Sequence, residues 1–175
     1  MKLLVTGLAA LAAAVPLTGV ATAAPRAPDV PAGIAVEDGN KPFLVGHAIG
    51  VQIYRCNGSS WGLYAPRATL YGNNGHLIAT HFGGPSWQAK DGSKVVGRRI
   101  KDPITVDSTA IPWLLIEPTS VTAGPDGDRL AGTTYIQRIA TVGGLAPEPS
   151  TCNAGTAGDE LEEPYTADYV FWKKR

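Results

Sequence analysis

Along much of the chain apolar residues recur at every second position, in short runs closed by Gly, Pro, Asn and Asp. In residues 49–56, IGVQIYRC, the alternation sets Gln52, Tyr54 and Cys56 on one face and Val51 and Ile53 on the other. Segments 68–71 (ATLY) and 76–82 (HLIATHF) flank Gly72-Asn73-Asn74-Gly75 and read as a hairpin. A further strand is expected at 94–99 (KVVGRR), after Asp91-Gly92. The run 111–116 (IPWLLI) is apolar throughout, as in a strand covered on both faces, with Pro112 limiting its first ladder bonds. Residues 130–142 (LAGTTYIQRIATV) resume the alternation before Gly143-Gly144. In 165–172 (YTADYVFW) it sets Tyr165, Ala167, Tyr169 and Phe171 against Thr166, Asp168, Val170 and Trp172. With 21 Gly and 14 Pro there is no window for a long helix. The pattern predicts one all-β domain over 34–175, an antiparallel sandwich or barrel of about eight strands with long loops.

The first 23 residues break this pattern. One lysine, an apolar run from Leu3 to Val20 and the ending Ala21-Thr22-Ala23 predict a cleaved secretory signal peptide over 1–23. Gly7, Pro16 and Gly19 and the absence of a basic stop-transfer cluster argue against a retained anchor, so no membrane span is expected after cleavage. Residues 24–33 (APRAPDVPAG) read as an extended leader, and 147–164, small and acidic, as a loop. Export makes Cys56 and Cys152 a disulfide, the one pairing that two cysteines allow. With 15 basic and 15 acidic residues there is no net field to recruit nucleic acid.

The ordered segments GVQIYRC, HFGGPSWQAKDGSKVVG, IPWLL, TYIQRIATVGG and YTADYVFW resemble an exported microbial family catalogued as domain of unknown function 3455. The likeness runs from about Pro31 to Trp172 and implies no known activity. One departure is Gln88, where the family pattern carries an acid after the tryptophan of GPSW.

Local spacing gives little support to catalysis. His47, His76 and His81 form no H-x-H or HExxH set, and positions 76 and 81 face opposite ways on a strand, so no metal site is expected. Ser86 follows a proline and lacks the G-x-S-x-G framework of a nucleophile elbow. Glu117 and Asp168, at strand ends, are the pair a glycosidase could use. No cofactor motif is present, and no cofactor is expected.

Polar groups set among apolar neighbours are more informative. Gln52, Gln137, Arg138 and Asp168 are expected to be at least partly buried, with Arg138 and Asp168 available as an ion pair. Trp113 reads as core, whereas Trp87, between Ser86 and Gln88, reads as an exposed platform beyond a corner made by Gly83-Gly84-Pro85. His81 shares its face with Leu77 and Ala79. These residues suggest an exported domain that binds a small molecule or glycan through His81, Trp87, Gln52, Tyr54 and Arg138, without covalent chemistry. The alternatives are a secreted hydrolase or lyase using His81 as base, or a purely structural envelope protein.

Overall fold

The structure is a computed structural model and describes residues 24–175; the expected signal peptide, 1–23, lies outside the described residues. Eight antiparallel strands follow one another around a closed barrel. They are β1 (Asn40–Cys56), β2 (Trp61–Tyr71), β3 (Leu77–Phe82), β4 (Ser86–Ala89), β5 (Lys94–Arg99), β6 (Leu114–Thr122), β7 (Tyr135–Gly143) and β8 (Glu160–Lys174). Closure comes from β1 pairing with β8 over Asn40 to Arg55, so neither terminal strand is left as an open edge.

The period-two pattern sorts side chains between the barrel interior and its outer wall. From β8, Tyr165, Ala167, Tyr169 and Phe171 join Ala48, Leu70, Val95 and Ile136 inside. From the same strand Val170 and Trp172 point out, into a second core with Ile34, Leu115 and Ile139. That outer core also holds Val30 and Trp113. The end of the segment expected to be a leader therefore packs on the wall, with a single 3-10 turn at Ala32–Ile34 that buries Ile34. Trp113, expected as core, sits partly buried at the edge of this second cluster.

Several strands are longer than their alternation suggests. β2 begins at Trp61, although WGLYAPR has no clean period and contains Pro66, because β1 pairs with it from Tyr71 back to Trp61, with one register shift between Ile53 and Tyr54. Within the segment expected to be a loop, β8 begins at Glu160; Glu160 and Glu162 face outward, where they pair with Arg55 and Arg67. Cys56, the last residue of β1, is bonded to Cys152, 96 positions away, and so ties down the β7–β8 connection.

The two ends of the barrel differ. At one, the β4–β5 turn binds the β6–β7 connection: Asp91 accepts from the Arg129 backbone N–H and Ser93 Oγ from that of Leu130. Leu130, fully buried in the interior cluster, closes that end. The other end carries the disulfide, the β3–β4 turn and the start of β2, and it is hollow.

Candidate functional site

A cavity of about 220 Å³ occupies the hollow end, and every strand contributes to its wall. Gln52 comes from β1, Leu63 to Pro66 from β2, His81 from β3, Trp87 from β4, Arg99 from β5, Leu114 and Ile116 from β6, Arg138 from β7 and Tyr169 from β8. Gln52, Trp87 and Tyr169 are buried and form its depth, whereas Leu63, Tyr64 and Arg99 are exposed and form its rim. An eight-stranded barrel has an interior just wide enough to be filled by side chains or to hold one small ligand. Here it does the first at one end and leaves room for the second at the other.

The expected corner at Gly83-Gly84-Pro85 is instead a three-residue hairpin loop. Gly84 takes φ +110°, which an L side chain rarely adopts, and the chain reverses into β4. Trp87 thus returns directly opposite His81 on the inner face. The two rings stack at 4.4 Å between centroids and 8° between planes. Tyr169 meets Trp87 edge to face at 5.5 Å. The expectation of an exposed Trp87 platform is corrected: the residue is 0% exposed, because a hairpin preserves strand alternation where a corner would have broken it. Gln88, the departure from the family pattern, points outward beside Thr80 and Lys94, away from the cavity.

His81 Nδ1 lies 2.8 Å from the Ser86 carbonyl. A carbonyl only accepts, so Nδ1 carries the proton and the neutral ring keeps its lone pair on Nε2. Burial, opposed by that bond and reinforced by the charge of Arg138, pushes the imidazole pKa down to about 3. The contact to Ser86 runs through its backbone, so no Ser–His nucleophile pair is formed. Tyr54 is buried with its hydroxyl donating to the Gly144 carbonyl at 2.7 Å. This fixes the β7–β8 connection beside Gln52, where Gly144 at φ +76° leaves no room for a Cβ against Tyr165. Burial raises the pKa of the Tyr165 and Tyr169 hydroxyls, which lie 3.3 Å apart.

Arg138 and Asp168 do not pair. In register Arg138 faces Tyr169 and Ile139 faces Asp168, so the guanidinium goes inside and the carboxylate outside. Asp168 instead takes His47 Nδ1 at 2.6 Å, whose Nε2 meets Asn73 at 2.6 Å. Glu117 pairs with Arg98 on the exposed surface, so the two carboxylates considered for glycosidase chemistry lie apart from the cavity. Arg138, 8% exposed, donates Nε–H and Nη2–H to the Pro112 carbonyl at 3.2 and 2.8 Å. Among the described residues its charge has no carboxylate partner. Two buried side-chain atoms of the described residues also have no hydrogen-bond partner: Gln52 Nε2 and Trp87 Nε1. Both residues line the cavity.

Of the five residues singled out from sequence, Gln52, His81, Trp87 and Arg138 share this wall, and Tyr54 stands behind it as a support. Arg99 and the Leu63–Pro66 stretch were not anticipated. For Arg99 a signal exists, since KVVGRR places it on the same side as the inward Val95 and Gly97. For the β2 stretch none does.

The chain belongs to the family described as protein of unknown function, DUF3455, whose model matches residues 37–173. No curated protein and no solved structure matches it. No helix among the described residues is long and apolar enough to cross a membrane.

Proposed function

We propose that this protein is an exported barrel that binds one small molecule in its hollow end and performs no covalent chemistry on it. The observation that carries the reading is that Gln52 and Trp87, two residues that line a largely apolar cavity, hold buried donors, Nε2 and Nε1, that are left without partners. Buried polar groups are nearly always satisfied, and exceptions concentrate where a ligand or water completes the set. Export is supported by the signal-like segment 1–23 and by the Cys56–Cys152 bond.

Two observations favour a small molecule over the other readings. An end cavity of about 220 Å³ walled by Leu63, Leu114, Ile116 and aromatic rings suits one compact ligand better than a glycan chain. His81, with its pKa near 3, is a poor general base at neutral pH, which weighs against the hydrolase or lyase alternative. The test is thermal unfolding of the disulfide-bonded protein against a panel of compounds of one-ring size. A ligand at a hundred times its Kd stabilises by about 2.7 kcal/mol, and at least one compound is expected to raise Tm accordingly. If no member of a chemically diverse panel does so, the cavity is a packing defect and the reading fails.

A further inference from the structure

We infer that the ligand is a small organic anion, a carboxylate carried on a compact apolar body, received by Arg138. This rests on the small-molecule reading above and narrows it to a chemical class. Among the described residues, the lining includes two arginines and no aspartate or glutamate. Arg138 sits deep in the wall, where it donates to the neutral Pro112 carbonyl and has the Tyr169 hydroxyl, also neutral, as a further polar neighbour. An interior guanidinium with no carboxylate bonded to it is unfavourable unless a counter-charge is supplied, and an anionic ligand in the cavity supplies one. Arg99, exposed at the rim and outside the ion pairs of the described residues, places a second positive charge on the way in.

The hydrogen-bonding character agrees. Trp87 Nε1 and the guanidinium only donate, and the unpartnered atom of Gln52 is a donor as well; these donors outnumber the lone pair on His81 Nε2, so the complement is a group rich in acceptors. A planar carboxylate matches the guanidinium fork. The remaining wall of Leu63, Leu114, Ile116, Tyr169 and the stacked His81–Trp87 pair calls for an apolar body. A dry cavity of about 150 Å³ holds benzene, so the space present admits a ring bearing one carboxylate.

Calorimetric titration of the disulfide-bonded protein with benzoate, benzamide and benzamidine tests this. Benzoate should bind at least about tenfold more tightly than neutral benzamide, the discrimination expected of a hydrogen bond between charged groups, and cationic benzamidine should not bind. Arg138→Met should bring benzoate down to the level of benzamide. Arg138→Lys, which retains the charge and loses the fork, should fall between, and it serves if the methionine variant does not fold. Benzamide binding as tightly as benzoate in the unaltered protein, or a benzoate preference that survives both Arg138 variants, overturns the anion assignment while leaving the binding cavity in place. Failure of all three probes into the millimolar range also overturns the anion assignment, while the small-molecule reading stands or falls by the compound panel.

Discussion

Gln137 and Gln52 are 0% and 1% exposed, and they lie on opposite sides of the barrel wall, each in the company of a buried tryptophan. On the outside, Gln137 Nε2 donates to the Ile34 carbonyl at 2.8 Å and its Oε1 accepts from Trp172 Nε1 at 2.9 Å. Every strong polar group of that set has a partner, and the set clamps the segment around Ile34 to β7 and β8. On the inside, Gln52 Nε2 and Trp87 Nε1 have none. The two sites have the same residue types and similar burial, so composition does not distinguish them. What differs is whether the chain supplies the complement. Where it does, the polar group fixes structure; where it does not, the group is available for something that arrives later.

This contrast can be broken by substitution. Gln137→Leu should destabilise the protein by about 2–4 kcal/mol, since it leaves the Trp172 N–H and the Ile34 carbonyl buried and unpaired. Gln52→Leu should change stability by less than about 1 kcal/mol, or raise it, because it removes a polar group that has no partner to lose. Urea unfolding of the two variants side by side measures both. Equal losses would mean that Gln52 has a structural partner after all.

The next effect concerns His81, whose imidazole is packed against Trp87, Tyr169 and the charge of Arg138. Its folded pKa lies below the unfolded value near 6.5, so the unfolded chain binds the extra proton first. The contribution of the neutral ring is present above about pH 6.5 and is lost as pH falls toward 3, at up to about 1.4 kcal/mol per pH unit. Unfolding free energies measured across that range should show the slope, and His81→Phe should flatten it.

The smallest effect belongs to the outer histidine. His47 is half-exposed, and its pKa is raised by the bonds to Asn73 and Asp168. Its contribution is therefore present below pH 6.5 and fades as pH rises through the folded value, opposite in sign to that of His81. Solvent screening limits it to about 0.5 kcal/mol, so His47→Gln should lower stability slightly at about pH 6 and hardly at all at about pH 9.

Alternation along the chain made much of this arrangement legible. The inward sets Gln52–Tyr54–Cys56 and Tyr165–Ala167–Tyr169–Phe171 follow from parity within one strand, and the disulfide from the cysteine count. What parity cannot supply is partnership between strands. Arg138 and Asp168 looked available to one another, but the ladder sets them on opposite faces. Gly83-Gly84-Pro85 suggested the end of a strand, and only the pairing of His81 with Trp87 shows that the strand pattern continues through the turn. Gln137 and Arg138 are adjacent yet both buried, because the outer face of β7 is covered by residues near Ile34, a segment whose Pro-rich composition gave no hint of packing. The rim residues from β2 and β5 depend on closure of the barrel, a long-range property that no local window contains.

The most direct measurement follows the indole N–H resonances of the four tryptophans by two-dimensional NMR while benzoate is added. The account predicts that the Trp87 resonance moves progressively to saturation, since Trp87 lines the cavity and its N–H has no partner, while that of Trp172, already bonded to Gln137, stays in place. A shift confined to Trp172, or saturable binding that leaves Trp87 unmoved, would place the ligand outside the barrel interior and contradict the account.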